Sequence, residues 1–76
     1  MADVTIYTSS TCTYCKAAKA YLDENNIDYT EKHVDTDREA MNELIAKGHR
    51  GVPVIDIDGE EIVGFDQPKI AKLLNL

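Results

Sequence analysis

A strand-like run that leads directly into a helix-like run, and then into a second strand, constrains the fold of this chain most. Residues 3–8 (DVTIYT) are β-branched and aromatic with alternating polarity, which predicts a buried strand. Ala18, Tyr21 and Leu22 then recur at helical spacing, and residues 28–35 (DYTEKHVD) form a second, amphipathic strand that we expect near a sheet edge. Two strands joined by a helix suggest a parallel pair with a right-handed crossover.

The second half of the chain contains the signals of two more helices. Thr36 and Glu39 form a capping-box pattern, and the helix that they open should end at Gly48. Asp66 is positioned to cap a last helix, with Pro68 tolerated in its first turn. The expected buried faces of these helices comprise Met41, Leu44 and Ile45, and Ile70, Leu73 and Leu74.

Between these helices the pattern predicts an antiparallel hairpin. Residues 52–57 (VPVIDI) and 60–63 (EEIV) are strand-like, and the Asp58-Gly59 pair between them is a two-residue turn signal. The predicted order is therefore βαβαββα, which builds a four-stranded mixed sheet with three helices on its faces. We interpret residues 1–76 as one α/β domain.

Charge and hydropathy exclude several classes of function. The chain has 14 acidic against 8 basic residues, a net charge of −6, which argues against nucleic-acid binding and against an anionic membrane surface. No apolar run approaches the roughly 18 residues that cross a bilayer. The first residues lack the basic and apolar segments of a signal peptide, so we expect a protein of the reducing cytoplasm. With no oligomerisation signal, a monomer is expected.

Both cysteines of the chain lie within one helical turn, as Cys12 and Cys15. In a reducing compartment such a pair is more often catalytic or metal-binding than structural. With Thr11 as the expected N-cap, Cys12 occupies the first helical position, where free N–H groups and the helix dipole favour a thiolate. Lys16, four residues on, adds a positive charge. We therefore expect Cys12 to be ionised and Cys15 to remain a thiol.

This difference between the sulfurs predicts thiol–disulfide exchange. The Cys12 thiolate attacks a substrate disulfide, and Cys15 then attacks Cys12, which releases reduced substrate and leaves an intramolecular disulfide. Tyr14 either offers a flat apolar wall beside the reacting sulfur or packs against the sheet.

Three motifs together, CTYC, GVPVI and VGFD, resemble the glutaredoxin family of the thioredoxin fold, over essentially the whole chain. The resemblance implies that Cys12 is the nucleophile and Cys15 the resolving thiol. It also implies that Pro53 is cis and faces the cysteine pair. A proline at the start of a strand removes no hydrogen bond of the ladder.

By the same resemblance the substrate and reductant is glutathione, together with glutathionylated and disulfide-containing proteins. The backbone of Val52 would pair with the cysteinyl unit. Gly64, Phe65 and Asp66 match the segment that holds the γ-glutamyl end.

The sequence departs from the family pattern at positions that bear on glutathione. Thr13 replaces the proline of the common CPYC motif, and Gly51 replaces the usual threonine before Val-Pro. Ser9 occupies the position of a lysine that holds a glutathione carboxylate. His49 and Arg50 are candidates to replace that lysine, or they form a solvated helix end.

Several alternatives remain open. The chain is also similar to the short glutaredoxin-like redoxins that serve ribonucleotide reductase and are reduced by thioredoxin reductase. We favour the glutathione-linked reading because Tyr14 is retained. Copper or zinc carriage, an iron–sulfur cluster shared between two protomers through Cys12 and glutathione, and a purely structural protein are the remaining readings. His33 and His49 have no spacing that matches a closed zinc site, and no metal is expected.

Overall fold

Residues 3–49 and 51–76, which the computed structural model describes, form four strands and three helices in the predicted order βαβαββα. These elements are β1 (Val4–Thr8), α1 (Thr13–Glu24), β2 (Thr30–His33), α2 (Arg38–Ala46), β3 (Val54–Ile57), β4 (Glu60–Val63) and α3 (Gln67–Leu74). None of these helices is long and apolar enough to cross a membrane. The described chain thus has the predicted mixed α/β architecture of the thioredoxin fold.

The strands of the described chain lie in the order β2-β1-β3-β4. The β1 and β2 strands are parallel, as the crossover predicts, while β3 is antiparallel to both β1 and β4. Ile6 in the middle of β1 lies opposite Glu31 of β2 and Ile55 of β3. Because β1 lies inside the sheet, the cysteine pair that follows its carboxyl end lies next to the middle of the sheet and not at an edge.

Helices cover both faces of the sheet, because alternate side chains of each strand point to opposite sides. Ile6 faces α1 and α3, whereas its neighbour Tyr7 faces α2. On the first side the buried core comprises Val4, Ile6, Ala18, Leu22, Ile55, Ile57, Ile62 and Ile70. On the second side it comprises Tyr7, Val34, Ala40, Leu44 and Val54.

The start of α2 corrects one prediction. The N-cap is Asp37, whose carboxylate accepts the N–H groups of Glu39 at 3.0 Å and Ala40 at 3.3 Å. Thr36 instead lies in the turn after β2 and donates its N–H to the carbonyl of His33. The expected buried face was also wrong in part, since Ile45 is 54% exposed.

The hairpin between β3 and β4 confirms its sequence signal. Asp58 and Gly59 have φ angles of 51° and 90°, and positive values at both positions are those of the turn that joins two-residue hairpins. The Asp56 carboxylate accepts the N–H of Gly59 at 2.8 Å and holds the turn closed. The β3 strand begins at Val54, two residues later than predicted, because Pro53 has no N–H to donate to the ladder.

Candidate active site

The sulfur of Cys12 caps α1, which corrects the prediction that Thr11 would do so. Cys12 has extended φ and ψ of −89° and 113°, and its Sγ accepts the N–H of Cys15 at 3.1 Å. Its own N–H donates to the carbonyl of Ser9. The helix therefore starts at Thr13, and the Cys12 sulfur faces the free N–H groups of the first turn more directly than a residue inside the helix does.

The loop before β3 lies against the same sulfur. The peptide bond between Val52 and Pro53 is cis, as the resemblance implied. The Cys12 Sγ lies 3.8 Å from the carbonyl oxygen of Val52, to which a thiol can donate. Pro53 is buried, and Val52 is half-buried. Two segments 40 residues apart in the chain thus meet at Cys12.

Cys15 occupies a different environment, one turn into α1. Its side chain is buried, at 1% exposure, whereas Cys12 is half-buried. Burial raises the pKa of the Cys15 thiol to about 12, and the neighbouring Cys12 sulfur adds to this effect. A backbone hydrogen bond with Ser9 and, to a smaller extent, the Lys19 ammonium act in the opposite direction on the same pKa. Reduced Cys15 is therefore a neutral thiol over the physiological pH range.

A polar network that sequence analysis missed lies beside Cys15. Lys19 Nζ is 2.7 Å from a carboxylate oxygen of Glu31, and the same oxygen accepts the hydroxyl of Thr8 at 2.9 Å. His33 Nε2 lies 3.5 Å from the other oxygen. Burial acts to raise the pKa of Glu31, but hydrogen bonds from Lys19 and Thr8 outweigh it and hold that pKa below its ordinary value.

One part of this network had a signal in the sequence. Lys19 follows Cys15 by four residues and so lies on the same helix face. Glu31 had no such signal, and only the pairing of β2 with β1 places it near the cysteines.

Tyr14 and Lys16 lie on the outside of α1. Tyr14 is 69% exposed, so it presents its ring to solvent beside the cysteines instead of packing on the sheet. Lys16 is also exposed, as is Thr11 before the helix. The Tyr14 ring is therefore an exposed, flat apolar surface two residues along the chain from Cys12.

The segment 64–66 is held beside the loop that contains Pro53. The N–H of Gly64 donates to the Pro53 carbonyl at 2.8 Å, and Gly64 takes a positive φ of 83°. Phe65 packs edge-on against Tyr21 of α1 with 5.8 Å between the ring centres. Asp66 is the N-cap of α3, as predicted, and its carboxylate accepts the N–H of Lys69. The structure thus connects this segment to the Val52-Pro53 loop.

His49 does not provide a free cation beside Cys12. Its Nε2 lies 2.9 Å from a carboxylate oxygen of Glu61, and Lys47 contacts the other oxygen at 3.1 Å. Hydrogen bonds from His49 and Lys47 lower the pKa of Glu61, which keeps it charged. Arg50, the other candidate replacement for the missing lysine, lies outside the described residues.

Among residues 3–49 and 51–76, no group of three or more His, Cys, Asp or Glu side chains is placed to hold a metal ion. What the geometry supplies is a half-buried sulfur at a helix start, a buried thiol one turn away and an adjacent loop. These are the parts that two-step thiol–disulfide exchange requires.

Comparison with known proteins places this site in a family. A model of the glutaredoxin family matches residues 4–62. A glutaredoxin-like 8.6 kDa protein encoded in the rubredoxin operon of Clostridium pasteurianum is 45% identical over 74 residues, which cover 93% of this chain and 96% of that relative. Glutaredoxin 3 of Escherichia coli is 40% identical over 67 residues, which cover 87% and 81%.

The fold agrees with a solved structure of the same group. The glutaredoxin-like protein NrdH-redoxin from Escherichia coli superposes with a TM-score of 0.85 at 32% identity, and the match covers 93% of both chains. The family match spans both cysteines, the Val52-Pro53 loop and every strand but the last residue of β4. The chain therefore belongs to the glutaredoxin family of thiol–disulfide oxidoreductases.

Proposed function

We propose that this protein is a dithiol oxidoreductase in which Cys12 is the nucleophile and Cys15 is the resolving thiol. The observation that carries the proposal is the contrast between the two sulfurs. Cys12 is half-buried and accepts a backbone N–H at the helix start, whereas Cys15 is 1% exposed and remains protonated. A sulfur that is reachable and accepts a backbone N–H at a helix start attacks first, and a shielded thiol acts only after its partner has reacted.

The reaction has two steps. The Cys12 thiolate bonds to one sulfur of the substrate disulfide, and the other substrate sulfur leaves with the electron pair and takes up a proton. Cys15 then loses its proton and bonds to Cys12, which expels the second substrate sulfur as a thiol. The protein is left as a Cys12–Cys15 disulfide, and the substrate has gained two electrons and two protons.

We propose glutathione mixed disulfides as the first substrates, followed by protein disulfides. The Val52 backbone beside Cys12 is suited to pair with the cysteinyl unit of an extended tripeptide. The N-terminus of α3 favours a carboxylate, and Asp66 offers an acceptor for an ammonium group. The exposed Tyr14 ring and buried Pro53 would flank the bound chain.

One observation favours a second candidate, an electron donor for ribonucleotide reductase that is itself reduced by thioredoxin reductase. The family lysine that holds a glutathione carboxylate is Ser9 here, and His49 is engaged by Glu61 at 2.9 Å. A glutathione carboxylate bound near Ser9 would therefore lack the family lysine, and His49 is not free to replace that lysine. The NrdH-redoxin relative is described as having a thioredoxin-like activity profile.

The proposal also places the protein in a reducing cytoplasm, acting as a monomer on disulfide-containing partners. A Cys-x-x-Cys pair in such a compartment is more often catalytic than structural. The net charge of −6 suits partners that present a basic surface around their disulfide.

Reduction of the oxidised protein by each reductant tests the proposal. Oxidised protein is incubated either with glutathione or with NADPH and thioredoxin reductase, free thiols are alkylated, and the mass gain is measured. We expect two alkyl groups per chain with at least one reductant. In Cys12→Ser we expect at most one, in the same amount with and without reductant, because its single thiol forms no intramolecular disulfide. Reduction by glutathione alone supports the first candidate, and reduction only by the enzyme supports the second. Failure with both reductants would falsify the dithiol mechanism.

A further inference from the structure

Lys19 is the charged residue of α1 that lies on the same face as Cys15. It follows Cys15 by one helical turn, and its side chain is only 28% exposed. The ammonium is held 2.7 Å from the Glu31 carboxylate of β2. A lysine on a helix surface normally moves through many rotamers, but this pairing restrains its charge on the Cys15 side of the sheet.

The strands restrain Glu31 in turn. Its carboxylate accepts the hydroxyl of Thr8, a residue of the central strand that is 1% exposed, at 2.9 Å. Glu31 lies opposite Ile6 in the parallel pairing, so its side chain points to the face covered by α1. The other titratable groups that act on the pair are the Cys15 thiol, the Tyr29 hydroxyl and the His33 ring, and the Cys12 sulfur acts on Cys15.

A positive charge near Cys15 would assist the second step of disulfide exchange. Once Cys12 is bonded to the substrate it carries no charge, and Cys15 must give up its proton from a buried position. Its sulfur bonds to Cys12, the bond from Cys12 to the substrate sulfur breaks, and that sulfur takes the electron pair and ends as a thiol. A buried thiolate is costly unless a cation lies nearby.

We propose that the Lys19–Glu31 pair is a positioning device for this second step, in which the restrained ammonium stabilises the Cys15 sulfur as its proton leaves. This inference rests on the proposed function, since it assigns a residue to the resolving half of the same reaction. In this proposal Lys19 acts through Cys15 and not on the substrate. The inference therefore predicts that loss of Lys19 slows resolution and spares the attack by Cys12.

The two steps can be timed separately with 5,5′-dithiobis(2-nitrobenzoate). One equivalent of this disulfide releases one thionitrobenzoate when Cys12 attacks and a second one when Cys15 resolves the mixed disulfide. Stopped-flow absorbance from pH 6 to pH 9 gives the rate of each phase and its dependence on pH. The variants are Lys19→Met, Lys19→Arg and the matched control Lys32→Met.

Lys32 is a close match for Lys19 on the opposite face of the sheet. It is 31% exposed and pairs with Glu43 of α2 at 2.8 Å, so its substitution also removes one charge and one ion pair. In Lys19→Met we expect the second phase to be roughly tenfold slower throughout this pH range, because the pKa of the buried Cys15 thiol lies above the range and loss of the cation raises that pKa further. The first phase should be unchanged. Lys19→Arg should restore the second phase to within about twofold, and Lys32→Met should alter neither phase.

An unchanged second phase in Lys19→Met overturns the inference. So does an equal slowing of both phases, an equal effect of Lys32→Met, or no rescue by Lys19→Arg, since each would indicate a general structural effect. If Lys19→Met does not unfold cooperatively, Lys19→Gln replaces it in the same comparison. Failure of the proposed function itself looks different, because the wild-type protein would then release only one equivalent.

Discussion

The backbone N–H of Cys15 donates to the sulfur of Cys12 across 3.1 Å, so the sulfur that faces the Val52-Pro53 loop also caps the helix in which Cys15 is buried. The bond joins a half-buried sulfur to a thiol with 1% exposure. One local contact therefore marks the start of α1, and it joins the sulfur that we propose attacks first to the residue that we propose resolves.

Replacement of each cysteine should separate the two steps. Cys12→Ser should abolish all activity yet unfold at nearly the wild-type denaturant midpoint, because serine is a good N-cap. Cys15→Ser should keep activity on a glutathione mixed disulfide, since external glutathione can resolve Cys12, while reduction of a protein disulfide is lost. Turnover of a glutathionylated peptide and of insulin measures the two activities. Equal loss of both activities in Cys15→Ser would contradict a resolving role limited to dithiol substrates.

Alkaline pH should destabilise the reduced protein through Cys15. Burial raises the pKa of this thiol from 9.0 to about 12 in the folded state. Between these values the unfolded state has lost the proton that the folded state keeps, so the free energy of unfolding falls as pH rises. Urea unfolding of the reduced protein from pH 8 to pH 10.5 measures the slope, with Cys15→Ala as the control. We expect a shallower slope in the variant, and parallel slopes would show that Cys15 does not carry the effect.

The Glu31 carboxylate should contribute stability at neutral pH and lose it in acid. Its pKa is held below the ordinary value of 4.5, so the contribution is present above that value and disappears as pH falls through the lower, folded-state pKa. Glu31→Gln should lower the free energy of unfolding at pH 7 by about 0.5–1 kcal/mol, a small value because the pair is partly exposed to solvent. Chemical denaturation at pH 7 and pH 3 checks this. A difference between variant and wild type that persists at pH 3 would point to packing and not to charge.

Two substitutions of Asp66 should distinguish capping from substrate binding. Asparagine preserves the cap of α3 but removes the charge, whereas alanine removes both. We expect Asp66→Asn to match wild-type stability and to raise KM for a glutathione mixed disulfide several-fold. Asp66→Ala should in addition lose about 1 kcal/mol of stability. Wild-type KM in Asp66→Asn would assign Asp66 to the helix cap alone.

The element order could be predicted because its signals are local. Asp58-Gly59 predicted a tight hairpin, and both residues have the positive φ that such a turn requires. Asp66 was likewise recognised as a cap because the residues that follow it form a clear helical pattern. The N-cap residues of α1 and α2 were harder to predict. Thr11 and Cys12, and also Thr36 and Asp37, are adjacent polar residues that compete for one position, and sequence does not decide between them.

By itself the sequence determined the order of strands and helices, the spacing of Cys12 and Cys15, and the turn residues between β3 and β4. Each of these features depends on neighbours within a few positions of the chain. Only the tertiary structure decided that the Val52 carbonyl meets Cys12 and that Glu31 restrains Lys19 beside Cys15. Those contacts depend on which strands pair and in what register, and a one-residue slip would turn Glu31 to the opposite face of the sheet.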